Sequence, residues 1–256
     1  MSAFTAFIKK EFLGLFRSGK AVILLLISVL FGIMNPAIAK LTPWMMESMA
    51  DSMAETGLVV TAVEVDAMTS WTQFYKNAPM ALIVFLLMFA GILTSEYQSG
   101  TLIGMVTKGI SRWKILAAKK IMVLIVWTVF FWLMYGITFG YNQYFWDQSK
   151  IEHPLFAAGC FYILGVWLVS LIFLSSVLAR TNTAVLGMTG GVFLISYLLG
   201  MYHGISKYLP TELLGVTNVL TKSAEIKDYQ ASLIVITFLI LIQTIAAVTG
   251  FNKKAL

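Results

Sequence analysis

Six long uncharged runs dominate the pattern of apolar and polar positions: Ala21 to Ala39, Asn77 to Ser95, Ile121 to Trp146, Pro154 to Ala179, Thr181 to Tyr202 and Tyr229 to Asn252. Each has at least 19 residues, and none holds Asp, Glu, Lys, Arg or His. A bilayer core of about 30 Å is crossed by roughly 20 helical residues. One Lys, Arg or Asp at mid-span costs on the order of 2.5–3.5 kcal/mol, so uncharged runs of this length predict transmembrane helices. The expected fold is an all-α polytopic membrane protein with six transmembrane helices. Lys9, Lys10, Arg17 and Lys20 precede the first run much as basic residues precede a secretory leader's core. That run is about twice as long as such a core and leaves through Asn35-Pro36 without a small-x-small cleavage site, so it is expected to remain as a span.

The segments between the runs orient them. Those on the side of the two termini hold 12 of the 18 Lys and Arg residues, against only Glu11 and Glu96. The opposite side holds six basic and ten acidic residues. Lys and Arg collect on the cytoplasmic side, which places both termini there in a multi-pass protein of the plasma (inner) membrane. The formal charge of +6 is thereby accounted for by orientation and lipid headgroups, and nucleic acid is not needed as a partner.

Phe4, Phe7, Ile8, Phe12, Leu15 and Phe16 recur at helical spacing, with Lys9, Lys10, Glu11 and Arg17 mostly away from that stripe. This predicts an amphipathic helix lying on the inner membrane surface within residues 1–20. The segment 96–120 mixes Leu102, Ile103, Met105 and Val106 with polar residues and divides at Lys108-Gly109. Ser111 is placed to cap a helix that starts at Arg112 and runs into the third span. A short half-apolar helix before that division suits a groove on another protein, or else covers helix ends as a connector. On the outer side, Met45, Met46, Met49 and Met53 read as packing or lipid-facing residues rather than metal ligands. Residues 203–228 carry Leu209, Leu213, Leu214, Val216, Val219 and Leu220, too few to span, so re-entrant or interfacial helices are expected. The pairs Gly136/Gly140, Gly187/Gly191 and Gly200/Gly204 read as helix packing contacts.

Composition agrees: 59% hydrophobic, 12% charged and mean hydropathy +0.85, where soluble domains run near 45–50% and a quarter. Cys160 is the single cysteine and has no partner for an internal disulfide. The spans contain no group to hold a proton, metal or nucleophile, and His153 and His203 stand alone at the outer ends. No catalytic and no metal residue is expected. Residues Gly14 to Ala21 match the spacing of a phosphate loop, but Ala21 stands where the Mg²⁺-binding hydroxyl belongs and no strand precedes them.

Several segments together carry a resemblance. Phe7-Ile-Lys-Lys-Glu-Phe12 followed by Arg17 resembles the elbow helix of the membrane-spanning permease subunits of ABC-2 type ATP-binding-cassette transporters. Glu96, Gly100-Thr101-Leu102, Gly109-Ile110-Ser111-Arg112 and Lys119 resemble that family's coupling segment between spans 2 and 3, with Lys108-Gly109 where many members place Pro. The similarity covers nearly the whole chain, read as one six-helix transmembrane domain over residues 1–256. It implies an exporter subunit that is not an enzyme. ATP and Mg would sit on a separate ABC ATPase chain, with no cofactor on this one, and a second permease chain would complete a homodimer or a pair with a paralogue. It also implies an ATPase-coupling role for Glu96, Gly100, Thr101, Leu102, Gly109, Ser111 and Arg112, and a membrane-surface role for Phe4, Phe7, Ile8, Phe12 and Arg17. Glu96 is expected to pair with a basic residue of the ATPase or elbow, or to cap the helix near Ser99.

Aromatic and Met-rich spans (Phe85, Met88, Phe89, Phe130, Phe131, Trp132, Phe173) point to an apolar or amphipathic cargo. A peptide is favoured, as in the family's bacterial peptide exporters, then a drug or lipid. The alternatives are a non-transporting membrane scaffold or sensor that anchors a cytoplasmic partner, and a secondary carrier, which the empty spans disfavour.

Overall fold

A computed structural model of the chain describes residues 3–48, 65–107, 109–202 and 204–254. The expectations made for Met49, Met53, Lys108 and His203 lie outside those residues. Among the described residues there is no strand. An amphipathic helix, α1 (Ala3–Arg17), precedes the first span, α2 (Lys20–Ser48). The second span, α3 (Ala67–Phe89), breaks and resumes as α4 (Thr94–Gln98), which leads into the short α5 (Thr101–Thr107). The other spans are α6 (Arg112–Phe145), α7 (Pro154–Leu178), α8 (Asn182–Gly200) and, after a one-turn α9 (Thr217–Leu220), α10 (Gln230–Lys253). Among the described residues, six helices are long and apolar enough to cross a membrane. The chain is a multi-pass all-α membrane protein.

The most continuously apolar span, α7, is the most buried and packs against α3, α6, α8 and α10. Where the bundle is tightest, two glycines make the contact possible. A Cβ on Gly165 would lie 2.1 Å from Cζ2 of Trp127, and one on Gly32 would lie 2.8 Å from Cβ of Ile137. The pairs Gly136/Gly140 and Gly187/Gly191 have open space on that side instead, so the expected packing role falls to other glycines. Spacing alone does not distinguish an inward from an outward glycine.

A polar node joins spans 1, 2 and 3. Pro36 has no N–H, which leaves the Gly32 carbonyl four residues earlier without its helical donor. Thr138 Oγ1 donates to that carbonyl at 2.9 Å, Asn35 Nδ2 donates to Thr138 Oγ1 at 3.4 Å, and Asn77 Nδ2 donates to Asn35 Oδ1 at 2.8 Å. With no water available inside a bilayer, neighbouring spans satisfy the freed group.

Five of the aromatic residues read as pointing to an apolar cargo are core, while Trp132 is half-buried. Phe85, Phe89, Phe130, Phe131 and Phe173 are at most 3% exposed. Phe85 alone packs its ring 4.8 Å from Phe89 and 5.1 Å from Trp127. Large rings fill the space between helices, where offset and edge contacts stabilise them.

At the acidic end, residues 206–229 form short 3₁₀ turns, Ser206–Tyr208, Pro210–Val216 and Ile226–Tyr229, around α9. Leu213, Val216, Val219 and Leu220 are buried there, while Leu209 and Leu214 are half-buried. Ser232 Oγ donates to Leu209 O at 2.8 Å and Tyr229 Oη to Gly215 O at 2.7 Å, so the irregular backbone is satisfied by α10 and its approach. Glu152 pairs with Lys222 at 2.8 Å and links this segment to the turn before α7.

Candidate coupling site at the basic end of the bundle

At the end carrying both termini, Phe7, Glu11 and Leu15 fall one turn apart on α1 and all face inward. Glu11 is therefore buried, contrary to its expected place off the apolar stripe. Its partner is Lys119 of α6, whose Nζ lies 2.7 Å from Glu11 Oε2 and 2.9 Å from Glu96 Oε1 on α4. Lys10 completes the group at 3.3 Å from Glu11 and 3.9 Å from Glu96. Lys119 is 2% exposed and Glu11 8%, while Lys10 reaches into the open. Two cations and two carboxylates neutralise one another, which makes burial tolerable; removing one partner of such a pair costs about 3–5 kcal/mol. Glu96 Oε2 is buried with no hydrogen-bond partner among the described residues.

The elements around this cluster are tied down at each chain break. Lys20 Nζ donates to the Met88 carbonyl at 2.8 Å, just before span 2 breaks at Ala90–Leu93. Thr94 Oγ1 bonds Asn182 at the start of α8, and Gln98 Nε2 donates to Arg180 O at 3.4 Å. Arg112 donates to the carbonyls of Asn252 and Lys254 at the end of α10. Lys254 Nζ donates to Val177 O at 2.6 Å and Ala179 O at 3.1 Å, and lies 4.1 Å from the centre of the Tyr97 ring. Burial, and then the charge of Arg180, hold its ammonium below the usual lysine range. Three helix ends thus have their unsatisfied carbonyls covered by basic side chains.

Within this frame α5 stands between two left-handed glycines, Gly100 (φ +67°) and Gly109 (φ +82°), which let the chain turn out and back. Leu102 is its anchor, fully buried, whereas Ile103 is 51% exposed beside Thr101, Gly104 and Thr107. Ser111 caps α6 through an extended backbone, but its hydroxyl makes no cap bond.

Of the residues expected to act together, Gly100, Thr101, Leu102, Gly109, Ser111 and Arg112 form or bracket this half-exposed helical turn. Glu96 lies behind it, paired mainly within the bundle and only at 3.9 Å with the elbow's Lys10, and its side chain does not cap the next helix. Phe7 is buried in α1, with Phe4, Ile8 and Phe12 packed partly buried against the core. Arg17 stands apart at its far end, exposed. Sequence reasoning missed Glu11, although its spacing of four from Phe7 and Leu15 carried the signal. Among the described residues no three His, Cys, Asp or Glu side chains come together as metal ligands would.

A sequence profile described as "ABC-2 family transporter protein" matches residues 5–253, from α1 through α5 to the end of the last span. The chain belongs to the ABC-2 transporter family. No curated protein matches it. As an ABC-2 permease it is a membrane-spanning subunit of an ABC transporter rather than the catalytic one, and the family associates with an ABC ATPase.

Proposed function

We propose that this ABC-2 permease forms half of an ATP-driven export pathway and takes its drive from a separate ATPase chain at α5. The observation that carries this reading is the pairing of an exposed α5 face with a buried charge cluster. Thr101, Ile103, Gly104 and Thr107 present a small surface that no described residue of the subunit covers. Behind it, Glu96 and Lys119 connect the same loop to α1 and span 3. The positive-inside rule puts this end, both termini and α1 at the cytoplasmic face, where an ATPase with its ATP and Mg would dock.

A second permease chain completes the pathway in this reading. Span 5, α8, supports it: only Val185, Thr189 and Ser196 are buried, while Gly187 and Gly190 leave room for close approach of another helix. An apolar groove of about 310 Å³ between spans 2, 4 and 5, lined by Leu82, Leu86, Leu168 and Phe193, suits an amphipathic cargo. We favour a peptide with basic residues, drawn to the acidic outer segments, over a drug or lipid.

The test is the ATPase rate in proteoliposomes, for the cognate ATPase alone, with this chain, and with Ile103→Glu. The chain is expected to change the rate, and the exposed substitution to abolish that change while leaving the chain folded. An ATPase that neither binds nor responds contradicts the reading and favours a scaffold.

A further inference from the structure

We propose that the groove beneath α1 is the seat of one anionic phospholipid from the leaflet at the basic end. The inference rests on the bilayer placement of the six spans and not on the ATPase reading.

The groove has a volume of about 200 Å³ and three walls. Leu15 and Phe16 come from α1, Leu24 and Leu25 from α2, and Val129 and Leu133 from α6. The lining is apolar; the hydroxyl of Ser28, its one polar side chain, is engaged with Leu25 O at 2.8 Å. Such a space offers water no partners. In a membrane it is filled by hydrocarbon, which fixes the lower half of the occupant as an acyl chain.

Charge in the chain segment next to the lining residues points to the upper half. The turn from Arg17 to Lys20 lies between two lining residues, Phe16 and Ala21. Lys20 is engaged with the Met88 carbonyl, Lys10 with Glu11, and Glu11 in turn with Lys119. Arg17 is exposed and has no counter-charge among the described residues. Gly19, at φ +73°, turns the chain so that α2 begins there. The amides of Lys20, Ala21 and Val22 find no acceptor among the described residues. A guanidinium and the first amides of a 29-residue helix favour a phosphate over a neutral or cationic group. An amphiphile with its phosphate at the turn and one chain in the groove matches both halves.

The test uses the full chain in proteoliposomes with phosphatidylglycerol or phosphatidylcholine that carries the same photoreactive acyl chain, with labelled positions mapped by mass spectrometry. Phosphatidylglycerol is expected to label Leu24, Leu25, Val129 and Leu133 about fivefold more than phosphatidylcholine, the effect of one cation on an anionic headgroup. Arg17→Gln, at an exposed position, is expected to reduce this to the phosphatidylcholine level. Ser28→Phe, which fills the groove, is expected to remove labelling by both. Equal labelling by the two lipids, or selectivity untouched by Arg17→Gln, means ordinary boundary lipid and overturns the proposal. So does cross-linking of these positions to a second protein chain.

Discussion

Lys119 holds two carboxylates from different helices at 2.7 and 2.9 Å while almost fully buried, so its charge cannot be lost without leaving Glu11 and Glu96 facing each other. Lys119→Met is expected to destabilise the chain by about 3–5 kcal/mol, read as a fall in thermal unfolding midpoint in detergent. Gly165→Ala is expected to cost about 1–3 kcal/mol, because the indole of Trp127 occupies the added methyl's place. A midpoint within error of wild type would show that Trp127 swings aside freely. Both residues are instructive about what the sequence displays. Glu11 looks like a polar-face residue until its spacing from Phe7 and Leu15 is weighed, and Gly165 carries no GxxxG signature, since what it accommodates is a ring on another span. Phe85 and Phe131 erred in the opposite direction: apolar spans show that a ring is inside the membrane but not whether it faces helix, lipid or pathway.

Among the elements, the six spans were legible because the bilayer enforces one rule over some 20 residues at a time. The break in span 2 was not, because Asn77 to Ser95 is uncharged throughout and the break is held by Lys20, 68 residues earlier in the chain than Met88. The start of α6 after Ser111 was readable from local chemistry, yet the hydroxyl that marked it makes no cap bond. Removing the donor to the carbonyl freed by Pro36, in Thr138→Val, is expected to cost on the order of 1 kcal/mol and loosen spans 1 and 3. Hydrogen exchange at Leu30 to Ala37 measures it, and unchanged protection there would remove the node's structural role. At the other end, Lys222 holds Glu152 below its ordinary 4.5, first by hydrogen bonding and then by charge. A carboxyl with a lowered folded pKa contributes stability above its unfolded value, and that contribution is lost as pH falls through the lower one. Spin labels at Ser149 and Ser223 are therefore expected to keep their separation down to the ordinary value of 4.5 and to move apart only below it. Separation beginning at higher pH would assign the contact to another group.

At the scale of the whole molecule, the two ends are built differently. Basic side chains at one end gather α1, the loop after span 2 and the last residues of spans 4 and 6 into one connected frame, with α5 seated beside it through Leu102 and exposing its other face. The other end closes with short turns and the Glu152–Lys222 link. The family and its helical plan were readable from pattern and motif together; the frame was not, because it depends on contacts such as Glu11 to Lys119 across 108 positions. The central claim is that this frame transmits movement as well as holding the fold. The most direct measurement compares Lys119→Met with the triple variant Glu11→Gln, Glu96→Gln, Lys119→Met for unfolding midpoint and for chain-dependent ATPase rate in proteoliposomes. Without buried unpaired charge, the triple variant is predicted to recover the midpoint but not the chain's effect on the ATPase. Recovery of both would contradict the claim and reduce the cluster to a structural tie.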